Sequence, residues 1–226
     1  MAETKKKKDP AAKSHRAALR EIELEKARVE LASLKLDLEA DQHRMKGARD
    51  ERRKKANEDE ALGIFSLEAS VGSAAVTMSN TLRKWARLHE GKPITLNIFS
   101  PGGSVLHGLV LFDSLRALSA QGHHVTTHSR GYAASMGSLI ALAGDTRIMG
   151  REAMIMFHSL SAGSGGSIYD IEDDLAFFKK LNARLDGIVT SRTDITKKML
   201  AEKTKKADWW LDSTEALALG VVHEIV

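Results

Sequence analysis

The sequence contains no cysteine. That excludes disulfides, a thiol nucleophile and thiolate metal sites, and it fits a reducing cytoplasm. It also lacks any apolar run long enough to span a bilayer. The basic N-terminus, MAETKKKKDPAAKS, has no apolar segment behind it and does not read as a secretory signal. Between Ser14 and Ala61 there is no proline and a single glycine, so nothing in that stretch breaks a helix. The nine histidines form no ligand cluster. His123 and His124 are adjacent on an expected strand and point to opposite faces, while His15, His43 and His89 lie in charged helical surroundings and read as solvated. No metal and no cofactor are expected. The cluster Lys5 to Lys8 has no interleaved aromatic residue and no base-reading motif, so it reads as a solvated tail rather than a nucleic-acid contact.

What remains is a chain of 226 residues, 42% hydrophobic, with room for one sizeable domain and extra material. Its net charge of +4 is modest, but the basic residues crowd into the N-terminal quarter. Residues 1–60 form a charged arm and linker, and 61–226 a body large enough for a core of its own. Within the arm, Leu24, Leu31, Leu38 and Met45 fall seven apart, with Ala27 and Leu34 between them, which is a heptad seam. Asp41 interrupts the seam, and Ile22, Val29 and Leu36 form a second stripe. The run LKLDLEAD also alternates as a strand would. Flanks rich in Ala, Glu, Lys and Arg favour a long helix, a candidate coiled coil. The stretch RDERRKKANEDEA reads as a solvated charged helix or a linker. Each leucine of such a seam left in water forfeits about 1.5–3 kcal/mol of burial. The arm should therefore meet its own copy, the body of the protein, or a client.

From Gly63 the rhythm changes. GIFSLEASV reads as a strand and turn, AAVTMSNTLRKWARLHEG as a helix, PITLNIFS as a strand and SVLHGLVLFDSLRALSAQG as a helix. HHVTTHS, TRIMG and AMIMFHS read as further strands, with a helix beginning behind Ser135 between the first two. Two helices follow between Ser167 and Lys206, and EALALGVVHEIV closes the sequence as a short helix and strand. Strands alternating with helices indicate an α/β layered sheet-and-helix domain.

Three places fall where a strand hands over to a loop or helix: FSPGGSV, Ser135 in RGYAASMGSLIALAG, and His158 at the end of AMIMFHSL. Each has two readings. Ser135 is either the cap of a buried helix or a nucleophile. His158 is either a solvated strand end or a general base. The glycines after Pro101 form either a plain turn or a set of uncovered amides able to stabilise an oxyanion.

FSPGGSV, GYAASMGSLIALAGDTRIMG and AMIMFHS, in this order, resemble the ClpP family of serine peptidases. The resemblance continues through GGSIYDIEDDLAFFKKLNARL to DWWLDSTEALALGVV and covers roughly residues 63–226. Within the family the sequence is most similar to ClpP-like proteins of phages and prophages, often associated with head maturation. The resemblance implies a ClpP/crotonase-like fold with Ser135 as nucleophile, His158 as general base and Asp208 as the orienting carboxylate. Asp212, close by in DSTEA, is the rival to Asp208. The backbone amides of Gly103 and Met136 would form the oxyanion hole. The alanines before Ser135 would keep its approach clear, and Gly137 would allow the tight turn.

Two departures stand against the family pattern. The family's proline two residues after the histidine is Leu160 here, in His158-Ser159-Leu160. The family's short axial loop, which meets an ATP-driven AAA+ unfoldase, has no match, and a long charged helix stands in its place. SAGSGGS resembles the family's handle strand, and Ile168 to Leu185 its handle helix. The expected protein is thus a cytoplasmic serine endopeptidase acting on proteins or peptides as a homo-oligomeric ring, with a phage capsid or scaffold protein as a candidate client. Two other functions fit less well. One is an assembly scaffold with an inactive site. The other is a crotonase-type acyl-CoA enzyme, which needs paired amides but not a serine, histidine and aspartate together.

Overall fold

A computed structural model describes residues 10–205 and 207–226, except the side chains at 10–20, 22, 27, 29 and 32. The Lys5–Lys8 cluster and the side chains of His15, Ile22, Ala27 and Val29 lie outside the described residues. The chain divides into two compact units between Ala56 and Asn57. Among the described residues no helix is long and apolar enough to cross a membrane.

The N-terminal part is one helix, α1, Pro10–Ala61. LKLDLEAD is therefore helical despite its alternation, as its flanks favour, and RDERRKKANEDEA continues the same helix. Its seam is uncovered: Leu24, Leu31, Leu38 and Met45 are all more than half exposed.

The body is a seven-stranded sheet with helices packed on it. Strands β1 (Ile64–Leu67), β2 (Ile94–Ser100), β3 (Val125–Ala134), β4 (Thr146–Met149) and β7 (Glu224–Ile225) run in the order β1-β2-β3-β4-β7, all parallel. Parallel neighbours need crossover helices, and the sequence supplies them as α2 (Ser73–Ala86) and α3 (Val105–Ala120). Leu82, Leu96, Ile98, Leu111 and Leu115 are fully buried between these layers.

Strand β3 is longer than HHVTTHS suggests and changes partner along its length. Its first half, Thr126 to Ser129, pairs with β4, and its last three residues, Tyr132 to Ala134, pair with β5 (Met154–Phe157). Gly131, at φ +63°, marks the break between the two halves. This branching brings the C-terminal ends of β2, β3 and β5 to one edge. Behind β3 follows the short helix α4 (Met136–Ala141).

The remaining elements are α5 (Ile168–Arg192), α6 (Lys197–Thr204), β6 (Trp209–Leu211) and α7 (Ser213–Ala218). Strand β6, three residues long, pairs antiparallel with β5 and is too short to be legible in the sequence. Residues 159–167 form no strand, contrary to the handle-strand expectation for SAGSGGS. Glycine-rich backbone gains little from extension without a partner strand. Arg147, buried on β4, donates to the carbonyls of Val221, Gly220 and Arg192 and so ties the C-terminal turn to the sheet. Burial, with the Arg192 and Arg116 guanidiniums nearby, pulls its pKa down to about 10.

Three histidines depart from their sequence reading. His89 is not freely solvated: its ring stacks on Trp85 at 4.3 Å, and its Nδ1 lies 2.9 Å from the Trp85 carbonyl. His123 and His124 both precede β3 rather than lying on it, and His123 is buried, with its Nδ1 2.9 Å from the Lys92 carbonyl.

Candidate active site

The register of the sheet assembles the site. Ala134 on β3 pairs with Met156 on β5, and these parallel strands end within one residue of each other. Ser135 is the first residue past β3, and His158 the first past β5. Strand β2 ends at Ser100, level with Ala133, so Pro101 to Gly103 emerge at the same edge. Loops beyond the carboxyl ends of parallel strands are where such sheets bind ligands.

Ser135 is half-buried and has φ +55°, the only positive φ at a non-glycine position among the described residues. Strain of this kind costs on the order of 1–3 kcal/mol and persists only where the surroundings enforce it. Here the Ser135 N–H donates to the Met156 carbonyl at 2.9 Å. The Ser138 hydroxyl lies within hydrogen-bond distance of the Ala133 and Met156 carbonyls, pinning the ends of β3 and β5 together. Ser135 stands at the N-cap position of α4, yet its side chain makes no capping bond. Its Oγ instead makes a 2.6 Å hydrogen bond with His158 Nε2.

Gly102 and Gly103 crowd this turn. A Cβ on Gly102 would lie 2.6 Å from both the Ala134 carbonyl oxygen and Ser135 Cβ, and 2.9 Å from the Met136 nitrogen. A Cβ on Gly103, at φ +143°, would lie 2.4 Å from the Val71 carbonyl, because the strand-like bridge to Val71 runs past it. The Gly103 N–H meets no backbone acceptor among the described residues. Met136 is the first residue of α4, so its N–H falls outside the helix's own ladder.

Asp208 is exposed and lines the same cavity as Ser135 and His158. Among the described residues no hydrogen bond joins it to the His158 ring. Its place is set by register: Phe157 faces Trp209 and Met156 faces Trp210. Continuing that antiparallel pairing by one residue brings Asp208 opposite His158, and opposed residues direct their side chains to one face. Asp212 is engaged elsewhere. It caps α7 in a capping box, accepting from the Glu215 N–H at 2.8 Å, while the Glu215 carboxylate accepts from the Asp212 N–H at 3.0 Å.

The cavity measures about 400 Å³. Its apolar wall comes from Met136, Leu139, Phe157, Leu185, Val189 and Leu200. The last three belong to α5 and α6, and no motif or spacing connects them with Ser135. Asn182 is a further residue missed by motif reading. Its Oδ1 accepts from the Leu160 N–H at 3.0 Å, and its Nδ2 donates to Asp186 at 3.0 Å. Ser159 donates to the Thr204 carbonyl at 2.9 Å. These side-chain bonds hold the segment after His158, where the family pattern would place a proline. Burial pushes the Asp186 carboxyl above its usual range, with Lys197 opposing the shift. A larger groove, about 770 Å³ and lined by Arg83, Arg87, Asp113 and Gln121, lies between α2 and α3. It contains no paired nucleophile and base. Among the described residues no three His, Asp or Glu side chains converge as metal ligands would.

The family model described as Clp protease matches residues 64–226. The chain is 31% identical over 141 residues to the ATP-dependent Clp protease proteolytic subunit 2 of Treponema pallidum, covering 62% of this chain and 69% of that protein. It is 32% identical over 137 residues to subunit 3 of Rhodococcus jostii, covering 60% and 66%, and 35% identical over 138 residues to subunit 1 of Streptomyces avermitilis, covering 59% and 60%. The matches thus span about two thirds of each relative or somewhat less.

Proposed function

The chain belongs to the Clp protease family, and from that premise we propose that it is a serine endopeptidase in which Ser135, His158 and Asp208 act as the catalytic triad. The observation that carries this reading is the 2.6 Å bond between Ser135 Oγ and His158 Nε2. Ser135 Oγ attacks the scissile carbonyl while His158 Nε2 accepts its proton. The developing oxyanion is held by the N–H groups of Gly103 and Met136. His158 then delivers the proton to the leaving amine, leaving an acyl-enzyme on Ser135. Water, deprotonated by His158, attacks that ester and releases the acid product and the free serine. Asp208 orients the imidazole and stabilises its charged form. The apolar wall of the cavity suits a hydrophobic side chain next to the scissile bond.

The domain boundary lies near residue 60, with the peptidase at 61–226. The working form is a homo-oligomeric ring in a cytoplasm. Support for assembly comes from α5, where Ile168, Tyr169, Ile171, Leu175 and Phe177 stand exposed along the helix. The relatives are named ATP-dependent, but the residues ahead of the family match, which begins at residue 64, form the long helix α1 rather than a short loop. Delivery of clients by the arm, such as phage capsid or scaffold proteins, is favoured over delivery by an unfoldase.

The test is labelling with a fluorophosphonate, followed by peptide mapping. Modification of Ser135 in the wild type and none in His158→Ala supports the reading. An unlabelled Ser135 in a folded wild-type protein would turn the assignment towards the scaffold alternative.

A further inference from the structure

We propose that α1 pairs in parallel, in register, with α1 of a second copy of this chain. The proposal does not rest on the peptidase reading. With Leu24, Leu31 and Leu38 at heptad position a, Leu34 falls at d, and all four are more than half exposed on the single chain. Position g is then held by Glu23, Glu30 and Asp37, and position e by Arg28 and Lys35. All five of these charged side chains are exposed.

This distribution selects the partner and its direction. In a parallel pair, each g residue lies beside the e residue of the next heptad on the other strand. Glu23 then meets Arg28 of the second copy, and Glu30 meets Lys35. An antiparallel pair over the same stretch sets g beside g and e beside e, so that acid faces acid and base faces base at its centre. The within-helix ion pair of Arg28 with Glu25, at 3.4 Å, is exposed on both sides and does not compete strongly. Asp41 occupies a d position and pairs with Arg44 on its own helix. It ends the apolar part of the seam and penalises slipped registers that would bury a carboxylate.

A cysteine scan on the full chain tests this, because the sequence offers no competing thiol. Leu24→Cys, Leu31→Cys and Leu38→Cys are made singly, with Leu36→Cys on the opposite face as control, and each is oxidised mildly. In a parallel pair every a position meets its own copy within disulfide reach. In an antiparallel pair crossing at residue 31, the two copies of residue 24 lie about 21 Å apart. The expected result is a linked dimer at 24, 31 and 38, with several-fold less at 36. Reversing Glu23 and Glu30 to Lys should cut the linked fraction several-fold, and adding Arg28→Glu and Lys35→Glu should restore it. Linkage at fewer than all three seam positions, equal linkage at 36, or indifference to the charge reversal overturns the proposal. Those outcomes would correspond to an antiparallel pair, a client on the seam, or α1 folded against its own body. Active-site labelling reads Ser135 separately, so failure here and failure of the peptidase reading are distinguishable.

Discussion

Helix α1 and helix α3 both carry leucines at helical spacing, and they use them in opposite ways. On α3, Leu111 and Leu115 are fully buried between the sheet and α2. On α1, Leu24, Leu31, Leu34 and Leu38 are all more than half exposed. Periodicity specifies the helix and the apolar stripe in each case. What covers the stripe is decided elsewhere: by strands β1 to β3 for α3, and, in the pairing proposed above, by a second copy for α1. The body closes a core of its own, whereas the arm leaves its apolar stripe exposed on the single chain.

The sharpest division between the two regions is chemical. Ser135→Ala should lower peptide turnover on the order of a million-fold, the usual cost of losing a triad nucleophile. The melting temperature should hardly change, since one hydroxyl is removed from a half-buried site. Steady-state hydrolysis of a fluorogenic peptide beside thermal unfolding checks both. Turnover that survives the substitution would move the chemistry away from this turn.

Next in size is the contrast within the C-terminal segment. Asp208→Asn should cost roughly ten-thousand-fold in kcat, because continuing the β5–β6 pairing by one residue would bring Asp208 opposite His158. Asp212→Asn should leave kcat intact and cost about 1 kcal/mol or less, since asparagine also caps helices well. The reverse ranking would exchange the two carboxylates.

The sequence made much of this site legible, because the site is built from residues with unusual local demands. Ser135 among alanines, the Pro101-Gly102-Gly103 turn and His158 at a strand end each signal an element boundary. Asp212 was readable as a cap from the glutamate three residues on. The parts that stayed hidden depend on tertiary pairing. Strand β6 exists because β5 offers it an edge, and β3 runs past Gly131 because β5 is there to receive it. Leu185, Val189 and Leu200 reach the cavity through the packing of α5 and α6, and Asn182 finds Leu160 across a loop. No periodicity encodes such meetings. The SAGSGGS segment shows the converse, a local likeness to a strand that lacks its partner in the single chain.

Packing gives the third contrast. Leu115→Ala should destabilise the body by about 2–5 kcal/mol, the cost of a cavity in a closed core. Leu38→Ala should stay within about 0.5 kcal/mol for the same transition. Urea unfolding followed by tryptophan fluorescence measures this selectively, because Trp85, Trp209 and Trp210 are the only tryptophans and all lie in the body. A large effect of Leu38→Ala on that signal would mean that the arm packs on the body.

A smaller effect depends on pH and also resides in the body. Burial, with the Arg147 and Arg192 guanidiniums, holds the His223 imidazole below its ordinary value of 6.5. A histidine with a depressed folded pKa contributes stability that is fully present above its unfolded pKa. That contribution fades as the pH falls below 6.5 and on through the folded value. Melting temperatures should therefore decline on acidification from neutrality to about pH 5, and less steeply in His223→Gln. An identical slope in the variant would assign the loss to other groups.

The smallest expected effect is the most informative about the arm. A chain beginning at Ala61 removes nearly all of α1 yet keeps Gly63, and that residue cannot be spared. Its carbonyl accepts from the Thr95 N–H at 2.8 Å, anchoring the start of β2, and a Cβ there would lie 2.5 Å from the Pro93 carbonyl. Every residue of the proposed triad and oxyanion hole lies beyond it, between Gly103 and Asp208. Hydrolysis of a small peptide should consequently be unchanged, because such a substrate needs only the cavity beside Ser135. Solution mass should differ from that of the full chain, since the seam proposed to join copies is gone. Measured together, the two readouts separate the regions: unchanged hydrolysis with altered assembly confines chemistry to the body and association to the arm. If hydrolysis disappears while the assembly keeps its size, α1 contributes to the active site and the boundary near residue 60 divides nothing functional.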